Sequence, residues 1–87
     1  MARIEPEDLQ EPERVFITGT LREALEVEEL LTGHGIDYAV QVEPFGTSLL
    51  FSRRNGAAFY VTAGQAEHCR SRLLAEGYGR GVVGPQD

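Results

Sequence analysis

The sequence has a single cysteine, no lysine, no tryptophan and no long apolar run. The lone thiol, Cys69, cannot form an internal disulfide and excludes zinc sites that are built on cysteine pairs. No segment approaches the roughly 20 apolar residues that a membrane helix needs, and the amino terminus lacks the apolar stretch of a secretory signal. We therefore expect no membrane partner and a cytoplasmic location, where a free thiol stays reduced.

The chain also lacks the charge and the residue constellations that common activities require. Its 87 residues carry a net charge of −6, which repels phosphate backbones and argues against a nucleic-acid partner. There are two histidines, His34 and His68. Because His68 and Cys69 are adjacent, their side chains would point about 100° apart on a helix and cannot act as a base and its nucleophile. We expect no catalytic residues, no metal site and no cofactor, and a buried, unreactive Cys69 on an apolar stripe.

Residues 1–13 form a separate acidic segment. They hold five acids against Arg3, and between Pro6 and Pro12 only Leu9 is apolar. So little apolar surface cannot offset the entropy of ordering, which predicts a disordered tail that is dispensable for folding. The alternative is an acidic arm that docks on a basic partner. Residues 14–84 are then the single domain, and 85–87 are its C-terminal end.

The first half of this domain predicts a strand, a helix and a second strand. Val15–Ile17 is a short apolar run typical of a buried strand. Thr20 and Glu23 have the spacing of a capping box, in which each side chain bonds the other's backbone amide. The helix should end where Gly35 adopts positive φ before an apolar Ile36. Alternating apolar residues over 38–42 then predict a half-buried strand.

The second half predicts two more strands and a second helix. Leu49–Phe51 indicates a strand, and Asn55–Gly56 is typical of the tight turn of a hairpin. The return strand would cover 57–61. A second capping box at Thr62 and Gln65 starts a helix that should end at Gly77, and residues 80–83 suit a short last strand.

This β-α-β-β-β-α order, with its short last strand, predicts an α+β fold. The arrangement is a ferredoxin-like two-layer sandwich, with an antiparallel sheet that carries both helices on one face. The other sheet face would be left open to a partner or to a second copy of the chain.

Residues 14–78 resemble a known family. The helix end Leu30-Leu31-Thr32-Gly33-His34-Gly35-Ile36 is similar to the Leu-Leu-x-x-x-Gly-Ile helix end of the small "putative signal-transducing protein" family of prokaryotes. The strand Phe59–Val61 and the Ala-rich helix after it are similar too. The resemblance implies a bacterial signalling protein with a fold like the nitrogen-regulatory PII proteins, but it carries over no catalytic residue.

Two sites are predicted. The first is an anion site, because a loop before a helix N-terminus and a pair of arginines can both bind anions; its residues are Thr18, Gly19, Thr20, Arg53 and Arg54. The second is an interface, because the strand around Leu50 is apolar on both faces; its residues are Phe45, Leu49, Leu50, Phe51 and Phe59. We expect a non-enzymatic regulatory module that forms a homodimer, with a PII-like sensor of a small anion or nucleotide as the alternative.

Overall fold

The computed structural model describes residues 3–44 and 55–84. In chain order the elements are the 3₁₀ helix Pro6–Asp8, β1 (Pro12–Thr18), α1 (Leu21–Gly33), β2 (Ala39–Pro44), β3 (Asn55–Thr62), α2 (Ala63–Ala75) and the 3₁₀ helix Gly79–Gly81.

The three strands form one antiparallel sheet in the order β1-β3-β2. On the free side of β1, Phe16 makes an isolated antiparallel bridge to Val82. The chain therefore returns to the position of a fourth strand, as in a β-α-β-β-α-β sandwich. This confirms the predicted α+β, ferredoxin-like class, and the short last strand consists of that one bridge.

The main core lies between the sheet and both helices. Buried side chains from α1, from α2 and from the strands form a single cluster. At its centre the rings of Phe16 and Phe59 meet edge to face, with their centroids 5.9 Å apart. The register of β1 shifts between Arg14 and Phe16, and this irregularity lets Val15 and Phe16 both be fully buried although they are neighbours.

Both helices end as predicted. Gly35 and Gly77 have φ of 70° and 92°. The amide of Ile36 donates to the Leu31 carbonyl at 3.0 Å, and the amide of Tyr78 donates to the Leu73 carbonyl at 2.9 Å. These are the long hydrogen bonds of Schellman motifs, with an apolar residue after each glycine.

The helix starts differ from the two predicted capping boxes. Thr20 Oγ1 accepts from the Glu23 amide at 3.3 Å as expected, but the Glu23 carboxylate accepts from Thr18 Oγ1 rather than from the Thr20 amide. The capping bond predicted for Thr62 is wrong, since its side chain makes none. Thr62 still belongs to β3, and the Ala63 amide donates instead to the Glu11 carbonyl at 3.0 Å.

The tight turn predicted at Asn55–Gly56 is also wrong. Both residues lie in β3, opposite Pro44 and Glu43 in a continuous antiparallel ladder. The pairing of β2 with β3 extends to residue 55, and Gly56 has no positive φ. The strand predicted over 49–51 falls outside the described residues.

The acidic segment needs a correction as well. Residues 3–13 were expected to stay in solvent, yet β1 begins at Pro12 and the Ile4 amide donates to the Tyr38 carbonyl at 2.8 Å. Leu9 is only 8% exposed. One apolar side chain and a few backbone bonds are enough to hold the segment because its far end is already anchored in the sheet.

We predict that Gly35→Ala destabilises the domain by about 1 kcal/mol, because a Cβ is penalised at positive φ. Nothing lies within 4 Å of that added atom, so the cost is one of backbone conformation alone. Gly33→Ala is the matched control: it also meets open space but lies inside α1, and it should stabilise by up to about 1 kcal/mol. Urea unfolding of both variants measures the difference, and equal effects would contradict the cap assignment.

Candidate functional site

The predicted anion loop lies between β1 and α1. Thr18, Gly19 and Thr20 line one concavity together with Glu23 and Arg80, which reaches it from the C-terminal 3₁₀ helix. Arg80 is a cation that the sequence did not place here. Arg53 and Arg54 fall outside the described residues.

Hydrogen bonds within the chain occupy much of this loop. The Thr18 hydroxyl donates to Glu23 Oε1 at 2.5 Å and accepts from the Thr20 amide at 3.3 Å. The Glu23 carboxylate thus supplies a negative charge at the helix N-terminus, where a bound anion would otherwise be stabilised. This geometry favours a self-satisfied helix start over an anion site.

A buried arginine joins α2 to β1 and to the C-terminal segment. The Arg70 side chain is 6% exposed. Its Nε donates to the Val83 carbonyl at 2.6 Å, and its Nη2 donates to Glu13 at 2.6 Å and to the Arg14 carbonyl at 3.1 Å. A third nitrogen, Nη1, reaches the exposed Glu67 at 2.8 Å. This full set of partners makes Arg70 a structural junction rather than a ligand-binding group.

The sheet face away from the helices carries a polar network. Arg14 donates to Glu43 at 2.9 Å, and the Tyr60 hydroxyl donates to the other oxygen of the same carboxylate. Partial burial, followed by this bond to Glu43, raises the pKa of Tyr60. Each of these groups is paired within the chain, so the network is suited to fixing the strands and not to proton transfer.

The largest exposed apolar side chains near one another lie in the first part of α1 and on the outer strand β2. We call Leu21, Leu25 and Val42 the edge patch; they are 75%, 55% and 76% exposed. Leu21 and Val42 line the same shallow groove, and Leu25 follows Leu21 by one helical turn. Val42 belongs to β2, the outermost strand on that side.

Of the five predicted interface residues, the structure describes only Phe59. Phe45, Leu49, Leu50 and Phe51 lie outside the described residues. Phe59 is wrong as an interface residue because it is fully buried, on the helix side of the central strand. The exposure of Leu21 and Val42 was not predicted, because the sequence shows which residues are apolar but not which of them the fold covers.

Two negative findings concern the described residues, 3–44 and 55–84. They contain no cluster of histidine, cysteine and carboxylate side chains that could hold a metal ion. None of the helices in this part of the chain is long and apolar enough to cross a bilayer.

Comparison with known proteins found no matching family model, no similar curated protein and no similar solved structure. The resemblance of residues 14–78 to the prokaryotic signal-transducing family therefore stays a prediction.

We predict that Arg70→Met destabilises the domain by about 3 kcal/mol or more, because it leaves Glu13 and two carbonyls without their donor. Arg22→Met is the control, since Arg22 is also ion-paired, with Glu26 at 3.7 Å, but its side chain is 90% exposed. That control should cost less than about 0.5 kcal/mol. Similar losses for both variants in chemical denaturation would show that Arg70 is not a junction.

We predict that Cys69 resists thiol reagents in the folded protein. It is fully buried, and desolvation raises the pKa of its thiol to about 11. The unfolded chain ionises this thiol near pH 9, so the folded state should lose stability as the pH rises from about 9 towards 11. Labelling with a chromogenic disulfide at neutral pH should be slow until denaturant is added. Rapid stoichiometric labelling without denaturant would contradict the burial.

Proposed function

We propose that this protein is a non-enzymatic, cytoplasmic regulatory module that forms a homodimer through the free edge of β2 and the edge patch. The observation that carries the proposal is the edge patch itself. Three large apolar side chains are exposed beside a strand edge, and exposed apolar surface of this kind marks protein interaction sites.

The strand edge supports a partner that adds to the sheet. β2 pairs with β3 on one side, and on its other side Tyr38, just before the strand, bonds Ile4. Beyond that contact no described segment pairs with the outer edge of residues 39–44. An unpaired edge carries free amides and carbonyls that another strand can satisfy.

A second copy of the same chain fits this edge in shape and in charge. An antiparallel pair of β2 strands is related by a twofold axis, and we place that axis near Val42, where a residue meets its own equivalent. Val42 would then lie close to Val42 of the other copy and to its edge patch. Glu43, the acid on this strand, is already paired with Arg14 and Tyr60 and so brings little uncompensated charge to the contact.

A small-ligand sensor is the second candidate, and one observation favours it. Arg80 brings a positive charge to the loop that holds Thr18 and Thr20. Glu23 in the same concavity offsets that charge, so we rank this function below dimerisation. A small anion or nucleotide that binds there would raise the melting temperature with ligand concentration, since binding to the folded state alone stabilises it.

The test compares two substitutions of equal charge. Val42→Glu introduces a carboxylate at the centre of the proposed contact in both copies, and we expect the dimer dissociation constant to rise by about 100-fold. Leu74→Glu adds the same charge at a residue of α2 that is 58% exposed and lies outside the edge patch; it should leave the constant unchanged. Sedimentation over a concentration series measures both.

Wild-type protein that sediments as a monomer at high micromolar concentration would contradict dimerisation. An equal rise of the dissociation constant in both variants would show a general effect of charge. The dimer contact would then not be centred on β2. At protein concentrations where wild type is monomeric, thermal unfolding of each variant should match wild type, because both substituted side chains are exposed.

A further inference from the structure

The N-terminal segment crosses from one side of the sheet to the other. We call residues 3–11 the N-terminal strap. Its first residue bridges Tyr38 at the outer edge of β2, and its last residue precedes β1, which lies on the far side of β3. The strap therefore spans the sheet at the end where β2 begins and β3 finishes.

Among the described residues, Tyr38 and Glu28 hold the start of the strap. The Ile4 amide donates to the Tyr38 carbonyl, and Arg3 lies 3.6 Å from Glu28 in an ion pair whose arginine is 55% exposed. Glu28 also accepts from the Tyr38 hydroxyl at 2.8 Å. An exposed ion pair contributes little, so the backbone bridge to Tyr38 is the main anchor among the described residues at this end.

The middle of the strap covers part of the sheet face opposite the helices. Ala39 alternates with Tyr38 and Val40, which pack on the helix side, so its side chain points the other way; yet it is fully buried. The 3₁₀ turn Pro6–Asp8 lies beside β2. Leu9 is buried as well but does not belong to the main core. The strap thus buries its one large apolar anchor outside the main core.

The end of the strap has a strained backbone. Glu11 has φ of 47°, and it is the one non-glycine residue in the described chain with positive φ. A left-handed conformation is unfavourable for a residue with a Cβ. It is held because the Glu11 carbonyl accepts from the Ala63 amide, and because β1 directly after it is fixed by its ladder with β3 and by Arg70.

We propose that the N-terminal strap is a removable cover for the helix-free sheet face, which opens about Glu11 while the main core stays folded. Opening would break the backbone bridge to Tyr38 and expose Leu9 and Ala39, and it would relieve the strain at Glu11. It would stop at Pro12, where pairing with β3 begins.

The net charges of the strap and of the rest of the chain determine how salt affects opening. The strap has four acids against Arg3, and the rest of the chain has ten acids against seven arginines. Strap and body therefore repel each other at long range, and added salt should favour the closed form by screening.

The experiment measures amide hydrogen exchange residue by residue in the full-length protein by NMR. Leu9→Ser should speed exchange of the Ile4 amide by roughly 10- to 100-fold, because it removes the buried anchor. Glu11→Gly should slow the same exchange by roughly three- to tenfold, because glycine accepts the left-handed conformation. Gln10→Ser, at an exposed neighbour, is the control and should change nothing. In all variants the amides of the β1–β3 ladder should keep their wild-type rates.

Two results would overturn the proposal. Wild-type strap amides that exchange as slowly as those of the β1–β3 ladder would show that the strap opens only when the whole domain unfolds. Acceleration of strap and ladder amides by the same factor in Leu9→Ser would show that Leu9 stabilises the domain as a whole. Neither result bears on dimerisation through the edge patch.

Discussion

The guanidinium of Arg70 is the constraint on which the assembly of the two layers depends. It lies at the one place where α2, β1 and the C-terminal segment come together, and its donors bond a carbonyl from each of the last two. Burying this charge costs free energy unless every hydrogen-bond partner is in place. The three elements must therefore all be docked correctly before Arg70 can be buried. In the same region the Val83 amide donates to the Val15 carbonyl at 3.0 Å. This bond and the bridge at Val82 hold the C-terminal segment beside β1, where a fourth strand would lie.

Local rules predicted the helix ends well and the turns poorly. Gly35 and Gly77 could be read from the sequence because a Schellman motif depends on a few adjacent residues. The turn predicted at Asn55–Gly56 is wrong because long-range pairing decides strand register. Here the pairing of β2 with β3 overrides the turn preference of the dipeptide. The role of Arg70 was hidden for the same reason, since Glu13 is 57 residues away from it in the chain.

The candidate site was the least predictable feature. Sequence patterns show which residues are apolar, and so they predicted the alternating strand that contains Val42. They do not show which part of that strand the helices cover, and Val42 is 76% exposed. Phe59 was misplaced for the opposite reason: an aromatic residue near a suspected interface also suits the core, and its pairing with Phe16 decides between them.

The helix-free face of the sheet and the outer edge of β2 are covered to different extents. Part of the helix-free face is covered within the chain by the strap, whose buried Leu9 does not belong to the main core. The outer edge of β2 is covered by the strap only at Tyr38, and the edge patch lies further along the strand. A small domain buries a smaller fraction of its surface than a large one, so covering its exposed apolar side chains adds noticeably to its stability. No further segment of the described chain covers Val42, and the dimer that we propose would supply that cover.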